Sequence, residues 1–387
     1  MKLFSHQYAV RPNLLLLTCL LSFGLAACGG GSSESLVNQA KSSIVKGDLK
    51  AAAIQLKNAV AADEKNAEAR FELGKLYLDQ GNLASAEKEF QRARSGGYAS
   101  DKVNPLIARS LLGQREYQRV LDEFTIPADS DANAATLHSL RALAELALGR
   151  KEDARKTTQR AHQLNPNVVD VHSALAQLAF ADNDADKAMQ ALDQALRIDP
   201  KHRDTLLLKG DLLRATGKPS EAAATYREVL QIDPRHANAR VALAGIAIAD
   251  NKLDDARKEI DAALKASPDS LLARYTQALI DFREKKTEQA RDHLAAVLKA
   301  APDYAPALLL GGSIEFALGN LQTAESHLNK AVKLAPNNLY ALRLLSATQL
   351  RLGRPDDAAR TLAPALGSAP PDAGVLVNAA SNCFSFI

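Results

Sequence analysis

The chain has 387 residues, 47% hydrophobic and 24% charged, with a formal net charge of +3. That apolar content excludes an intrinsically disordered chain, and the small charge, with both signs interspersed, excludes a general nucleic-acid binder. Ala occurs 71 times and Leu 59 times, Trp is absent and aromatic residues are only 5%. Ala and Leu lose little side-chain freedom in a helix, whereas strands draw on β-branched and aromatic residues. The composition therefore points to an all-α fold and away from a β-sandwich or barrel. Three Cys are too few for a disulfide-stapled scaffold.

In chain order, the first element is an address. Lys2 and Arg11 precede an apolar stretch from Leu14 to Leu25, too short for a membrane span. It ends in Leu25-Ala26-Ala27-Cys28, followed by Gly29-Gly30-Gly31-Ser32-Ser33. This segment resembles the bacterial lipobox. The resemblance implies a lipoprotein signal peptide over residues 1–27 and lipidation of Cys28. The rival reading is an ordinary cleaved signal with an incidental Cys. Two or more acyl chains anchor stably where one is marginal. Gly29 stands where the resemblance would place an Asp for inner-membrane retention, so the expected location is the outer membrane, facing the periplasm. Residues 28–34 read as the lipidated Cys and a flexible tether.

The body repeats itself. Pro166, Pro200, Pro234, Pro268, Pro302, Pro336 and Pro370 recur every 34 residues without slip. With these prolines at repeat position 32, ten repeats run from Ser33 to Asp372. Position 8 should be small, because the two helices of a repeat pass closely there. Ala40, Gly74, Ala108, Gly210, Gly312 and Ser346 comply. Position 20 carries Ala in every repeat but the third, which has Val120. Position 24 should be large and apolar, and only Thr158 departs. Position 15 should be a turn that tolerates left-handed backbone. Gly or Asn stands there except at Arg115 and Lys285. The third repeat is the least regular, with Pro105 and Pro127.

A 34-residue helix–turn–helix period resembles the tetratricopeptide repeat (TPR). The resemblance implies a right-handed α-solenoid of about ten tandem repeats, with first helices lining a concave groove. Residues 373–387 would then be a partial eleventh repeat. A narrower resemblance rests on Lys46-Gly47-Asp48, on Ala69-Arg70-Phe71-Glu72-Leu73-Gly74 and on the irregular third repeat, with Val103-Asn104-Pro105-Leu106-Ile107-Ala108-Arg109. With the lipobox these resemble the PEP-CTERM system TPR-repeat lipoproteins, the PrsT-like family. That family accompanies exosortase and exopolysaccharide genes, which implies a periplasmic scaffold for envelope export.

Catalytic signatures are missing. There is no phosphate-binding Gly loop, nucleophile elbow or His-Glu-x-x-His. His138 and His172 share position 4 of adjacent repeats, but zinc needs three or four ligands, so both read as packed helix residues. His202 and His236 read as solvated loop residues. Acid pairs such as Asp254-Asp255 suit helix starts. The expectation is therefore no enzyme, no cofactor and no metal.

Positions 2, 5, 9 and 12 of each first helix should face the groove. Position 9 carries Lys41, Lys75 and Arg109 in the first three repeats, a basic ladder or simply a solvated face. Position 5 carries Leu207, Val241, Tyr275 and Leu309, an apolar strip in the later repeats. The ladder suits an acidic peptide, a C-terminal carboxylate or an anionic polysaccharide. Tyr275 and Leu309 are the alternative binding residues. The functional expectation is a non-catalytic scaffold at the outer membrane that binds protein partners of an exopolysaccharide or PEP-CTERM/exosortase-linked export system. Its rivals are a pilotin-like assembly factor for a secretion pore and the TPR part of a longer regulatory or enzymatic protein.

Overall fold

The computed structural model describes residues 32–124 and 133–366. The leader with Cys28, Pro127, Pro370 and the partial eleventh repeat lie outside these. Twenty helices and no strands occur among the described residues. Every second helix begins at repeat position 17, from Leu49 in repeat 1 to Pro355 in repeat 10. First helices begin at position 1 in eight repeats and one residue earlier in repeats 3 and 4, at Ser100 and Ala134. The 34-residue register is thus the register of the fold.

Each second helix packs on the first helix of its own repeat and, in repeats 1 to 9, on that of the next. First helices also touch one another along most of the array, whereas second helices do not do so to a comparable extent. The chain is therefore an α-solenoid with first helices on the inside of its curve. Each repeat buries its apolar face on its neighbours, and stability is close to a nearest-neighbour sum.

The small residue at position 8 has a specific cause. A Cβ on Gly74 would lie 2.7 Å from the Phe90 ring, one on Gly210 2.5 Å from the Tyr226 ring, and one on Gly312 2.5 Å from Leu328. All three partners stand at position 24 of the same repeat, so the close approach is to a side chain rather than only between backbones. In repeat 10 position 8 is Ser346, whose Oγ donates to the carbonyl of Ala358, at position 20, at 3.1 Å.

All ten position 15 residues adopt left-handed backbone. Gly and Asn do so as expected, but Arg115 and Lys285 do too, both with φ 64°. The helix–turn–helix geometry imposes the conformation, and these two side chains bear its steric cost. His202 and His236 need correction as well. Each is the N-cap of the following helix, His202 Nδ1 accepting from Thr205 N and His236 Nδ1 from Ala239 N, both at 3.3 Å. They occupy the position that Asn66, Ser270 and Asn338 fill elsewhere.

Repeat 3 departs locally. Its second helix is cut to Tyr117–Glu123. Pro105 lies inside its first helix, Ser100–Gly113, and has no N–H for the Asp101 carbonyl four residues back. Asn133 Nδ2 donates to that carbonyl instead, at 2.8 Å. Arg141 Nη1 donates to the carbonyls of Leu121 and Phe124, closing the end of the shortened helix.

Candidate functional site

The three ladder residues occupy equivalent positions on the first helices of repeats 1 to 3, and each has an acidic partner. Lys41 pairs with Glu68 at 2.5 Å, which raises its ammonium above the usual lysine range. Lys75 pairs with Glu72 at 3.1 Å and lies 5.5 Å from the Phe71 ring centre, itself stacked on Tyr98. Arg109 pairs with Asp170 at 2.6 Å. The ladder is therefore internally compensated. Ligand carboxylates would have to displace these acids.

Among the described residues, two ion pairs bridge repeats that are not neighbours. Arg109–Asp170 joins repeats 3 and 5. Arg203 joins repeat 6 to Asp79 in repeat 2 at 3.3 Å and also meets Asp233 at 3.4 Å. They tie repeats 2 to 6 together.

Tyr275 and Leu309, by contrast, are brought into one cavity. It has a volume of about 450 Å³ and is formed by repeats 8 to 10. Its walls include Leu279 and Phe282 beside Tyr275, Ser313 beside Leu309, and Tyr340 from repeat 10. Each of these stands at position 2, 5, 9 or 12, so the cavity opens on the concave face. Its volume falls in the ~300–1,000 Å³ range of ligand pockets, and apolar walls with a few polar groups suit an apolar side chain. Tyr304 packs edge-on against Tyr275 at 5.6 Å, and burial raises the Tyr275 hydroxyl above the usual phenol range. Ser313 Oγ donates to Leu309 O and lies 3.3 Å from the Tyr340 hydroxyl. Arg283 stands exposed at the cavity's edge. The strip is not uniform: Val241 is buried at 7% exposure and lines no part of this cavity.

Of the two histidines at position 4, His172 serves the loop before its helix. His172 Nε2 meets Pro166 O at 2.7 Å, just as Arg240 and Arg274 donate to Pro234 O and Pro268 O. His138 is buried at 2% exposure. Among the described residues, no group of three or more His, Cys, Asp or Glu is arranged to hold a metal ion. No described helix is long and apolar enough to cross a membrane.

Comparison with known proteins gives the family. Tetratricopeptide repeat models match residues 145–212, 179–227, 213–280 and 315–376 in one form and 37–101 and 275–338 in another. No curated relative matches. Among solved structures, a chain of the APC/C hetero-tetramer Cut9–Hcn1 is similar at 11% identity and a TM-score of 0.51, covering 91% of this chain and 96% of its own. Pseudomonas aeruginosa PilF is similar at 20% identity and a TM-score of 0.48, covering 56% of this chain and 97% of its own. PilW, a type IV pilus biogenesis factor, has 18% identity and a TM-score of 0.48, covering 56% and 98%. The Cut9–Hcn1 likeness concerns the fold alone. The matched repeats span more than half of the sequence, and within each form their starts are separated by multiples of 34 residues: the chain belongs to the tetratricopeptide-repeat family.

Proposed function

We propose that the protein is a non-catalytic, lipid-anchored scaffold that binds a protein segment in the concave cavity of repeats 8 to 10. One observation carries this reading: Tyr275, Leu279, Phe282, Leu309 and Tyr340, from three successive repeats, surround one open apolar cavity on the inner face. Three successive repeats can follow an extended chain, which a single globular pocket cannot. The basic ladder supports it less well, since each rung already holds an acid.

Anchoring rests on the lipobox sequence. Cys28 would be acylated and hold the solenoid at the outer membrane, facing the periplasm. Its sequence resemblance to the PrsT-like lipoproteins supports a partner from an exopolysaccharide or PEP-CTERM export system. Partner capture from envelope extract tests the groove. Leu309→Asp puts a charge in the apolar wall and should abolish capture. Changing Lys41, Lys75 and Arg109 together to Glu should leave capture within about twofold. The opposite pattern would move the site to the ladder. Capture unchanged in both would remove the groove from consideration. For the anchor, Cys28→Ser should shift the protein out of the membrane fraction or leave an uncleaved precursor. Unchanged sedimentation and mass would contradict it.

A further inference from the structure

The inner face changes character along the chain. At positions 2, 5, 9 and 12, acids occur only in repeats 1 to 6, as Glu34, Glu68, Asp170, Asp204 and Asp211. The same sixteen positions in repeats 7 to 10 hold no acid. Acids elsewhere on the first helices of repeats 8 and 9, or at their C-caps, are engaged. Asp281 bonds Arg257 and His293, Glu284 bonds Arg257 and Lys286, and Glu315 accepts from Asn320.

The cations around the cavity are not compensated in this way. Arg283 lines it and, among the described residues, has no hydrogen-bond or ion-pair partner. Arg343 lies one helical turn beyond the lining residue Tyr340 and likewise has none among the described residues. Arg351 stacks over the Phe316 ring at 4.8 Å and donates to Phe316 O at 3.4 Å, but meets no carboxylate among the described residues. An arginine spared by acids next to an apolar cavity favours a ligand that brings its own anion.

We infer that the cavity selects an acidic peptide: an extended segment with an aromatic or large aliphatic residue for the pocket and carboxylates beside it for Arg283 and Arg343. This rests on the groove reading above and assigns it a ligand class. The apolar walls demand a side chain, so charge alone is not sufficient. The arginines flank the cavity from repeats 8 and 10, so the carboxylates should bracket the anchor rather than cluster on one side.

The test uses the full chain and three labelled, end-capped peptides of nine residues. All carry a central Phe, flanked on both sides by Glu, Gln or Lys. Fluorescence anisotropy should rank affinity as Glu, then Gln, then Lys. Arg283→Gln with Arg343→Gln should bring the Glu peptide down ~3–10-fold, to the Gln level, and leave the Gln peptide unchanged. Leu309→Ala should weaken all three, with the thermal melt used to confirm folding. Raising salt should compress the difference between Glu and Gln. Equal affinities, or a preference for Lys, would overturn the acidic-ligand inference and leave the groove standing. No binding of any peptide up to about 1 mM would overturn both. An anionic oligosaccharide without apolar groups that binds as tightly as the Glu peptide would also overturn the inference, because the pocket would then play no part.

Discussion

Gly210→Ala separates packing from helix propensity, because the two predict opposite signs. In a helix interior Ala is favoured over Gly by ~1 kcal/mol, so propensity alone stabilises the variant. The added methyl carbon, however, would fall 2.5 Å from Tyr226 Cε1 and 2.8 Å from its Cδ1. Tyr226 is fully buried and cannot swing aside without disturbing its packing. Its hydroxyl also donates to Asp211 Oδ1 at 2.7 Å, and displacing the ring strains that bond. Overpacking costs ~1–3 kcal/mol, and a bond to an exposed carboxylate adds ~1 kcal/mol when lost. After the propensity gain the net loss is about 2 kcal/mol. In an array whose repeats contact only their neighbours, that loss stays local. Amide exchange should therefore quicken roughly 30-fold in repeats 5 to 7 and stay unchanged in repeats 1 and 10. Adding Tyr226→Leu should recover most of it, since Ala with Leu is the native pair in Ala40–Leu56, Ala176–Leu192 and Ala278–Leu294. Gly245→Ala is the control. A Cβ there meets nothing within 4 Å, and that variant should gain ~0.5–1 kcal/mol. If Gly210→Ala is stabilised like Gly245→Ala, the position 8 to position 24 contact does not limit packing.

Three further outcomes follow from other repeats. Lys285→Gly relieves a left-handed lysine and should raise the stability of repeat 8 by about 1 kcal/mol, measured by denaturant-dependent exchange, while Gly217→Lys should lower that of repeat 6. Burial holds the His236 imidazole below its usual range, with Arg203 lowering and Asp233 raising it. Its folded value lies below its unfolded one, so its contribution is present above ~pH 6.5 and is lost as pH falls further. His236→Asn keeps an acceptor at the cap and should reduce the loss of thermal stability between pH 7 and pH 5.5; an identical loss would show that the cap does not titrate. Arg203→Glu sets like charges against Asp79 and Asp233, so small-angle scattering should show a larger radius of gyration, with the difference shrinking in high salt.

The register was legible because it is written in steric requirements. Seven prolines in one phase and small residues at position 8 place the helices within one residue of where they lie. Arg115 and Lys285 were misleading, since residue preference is a statistical trace of backbone geometry and the geometry persists without it. The capping roles of His202 and His236 are hidden in the sequence for a related reason. A His at a loop–helix junction gives no sign that its ring nitrogen caps the helix, although Asn and Ser at the same repeat position do so. The cavity was half legible. Position 5 gave Tyr275 and Leu309, but Tyr340 and Phe282 come from other positions, and only the curvature of three repeats brings them together. The partners of Lys41, Lys75 and Arg109 show the opposite difficulty. Reading one position down the array shows a column of cations but not the acids beside it. Asp170 lies 61 residues from Arg109 and meets it only across the inner face.

Hydrogen exchange on the full chain, with and without the Glu-flanked peptide, tests the binding site most directly. Protection should rise along Leu271–Arg283, Ala305–Ala317 and Leu339–Arg351, the first helices that build the cavity. Ser33–Val45, Ala67–Asp79 and Ser100–Gly113, which carry the ladder, should not change. Protection confined to those three N-terminal helices, or spread evenly along the solenoid, would contradict a binding site in repeats 8 to 10.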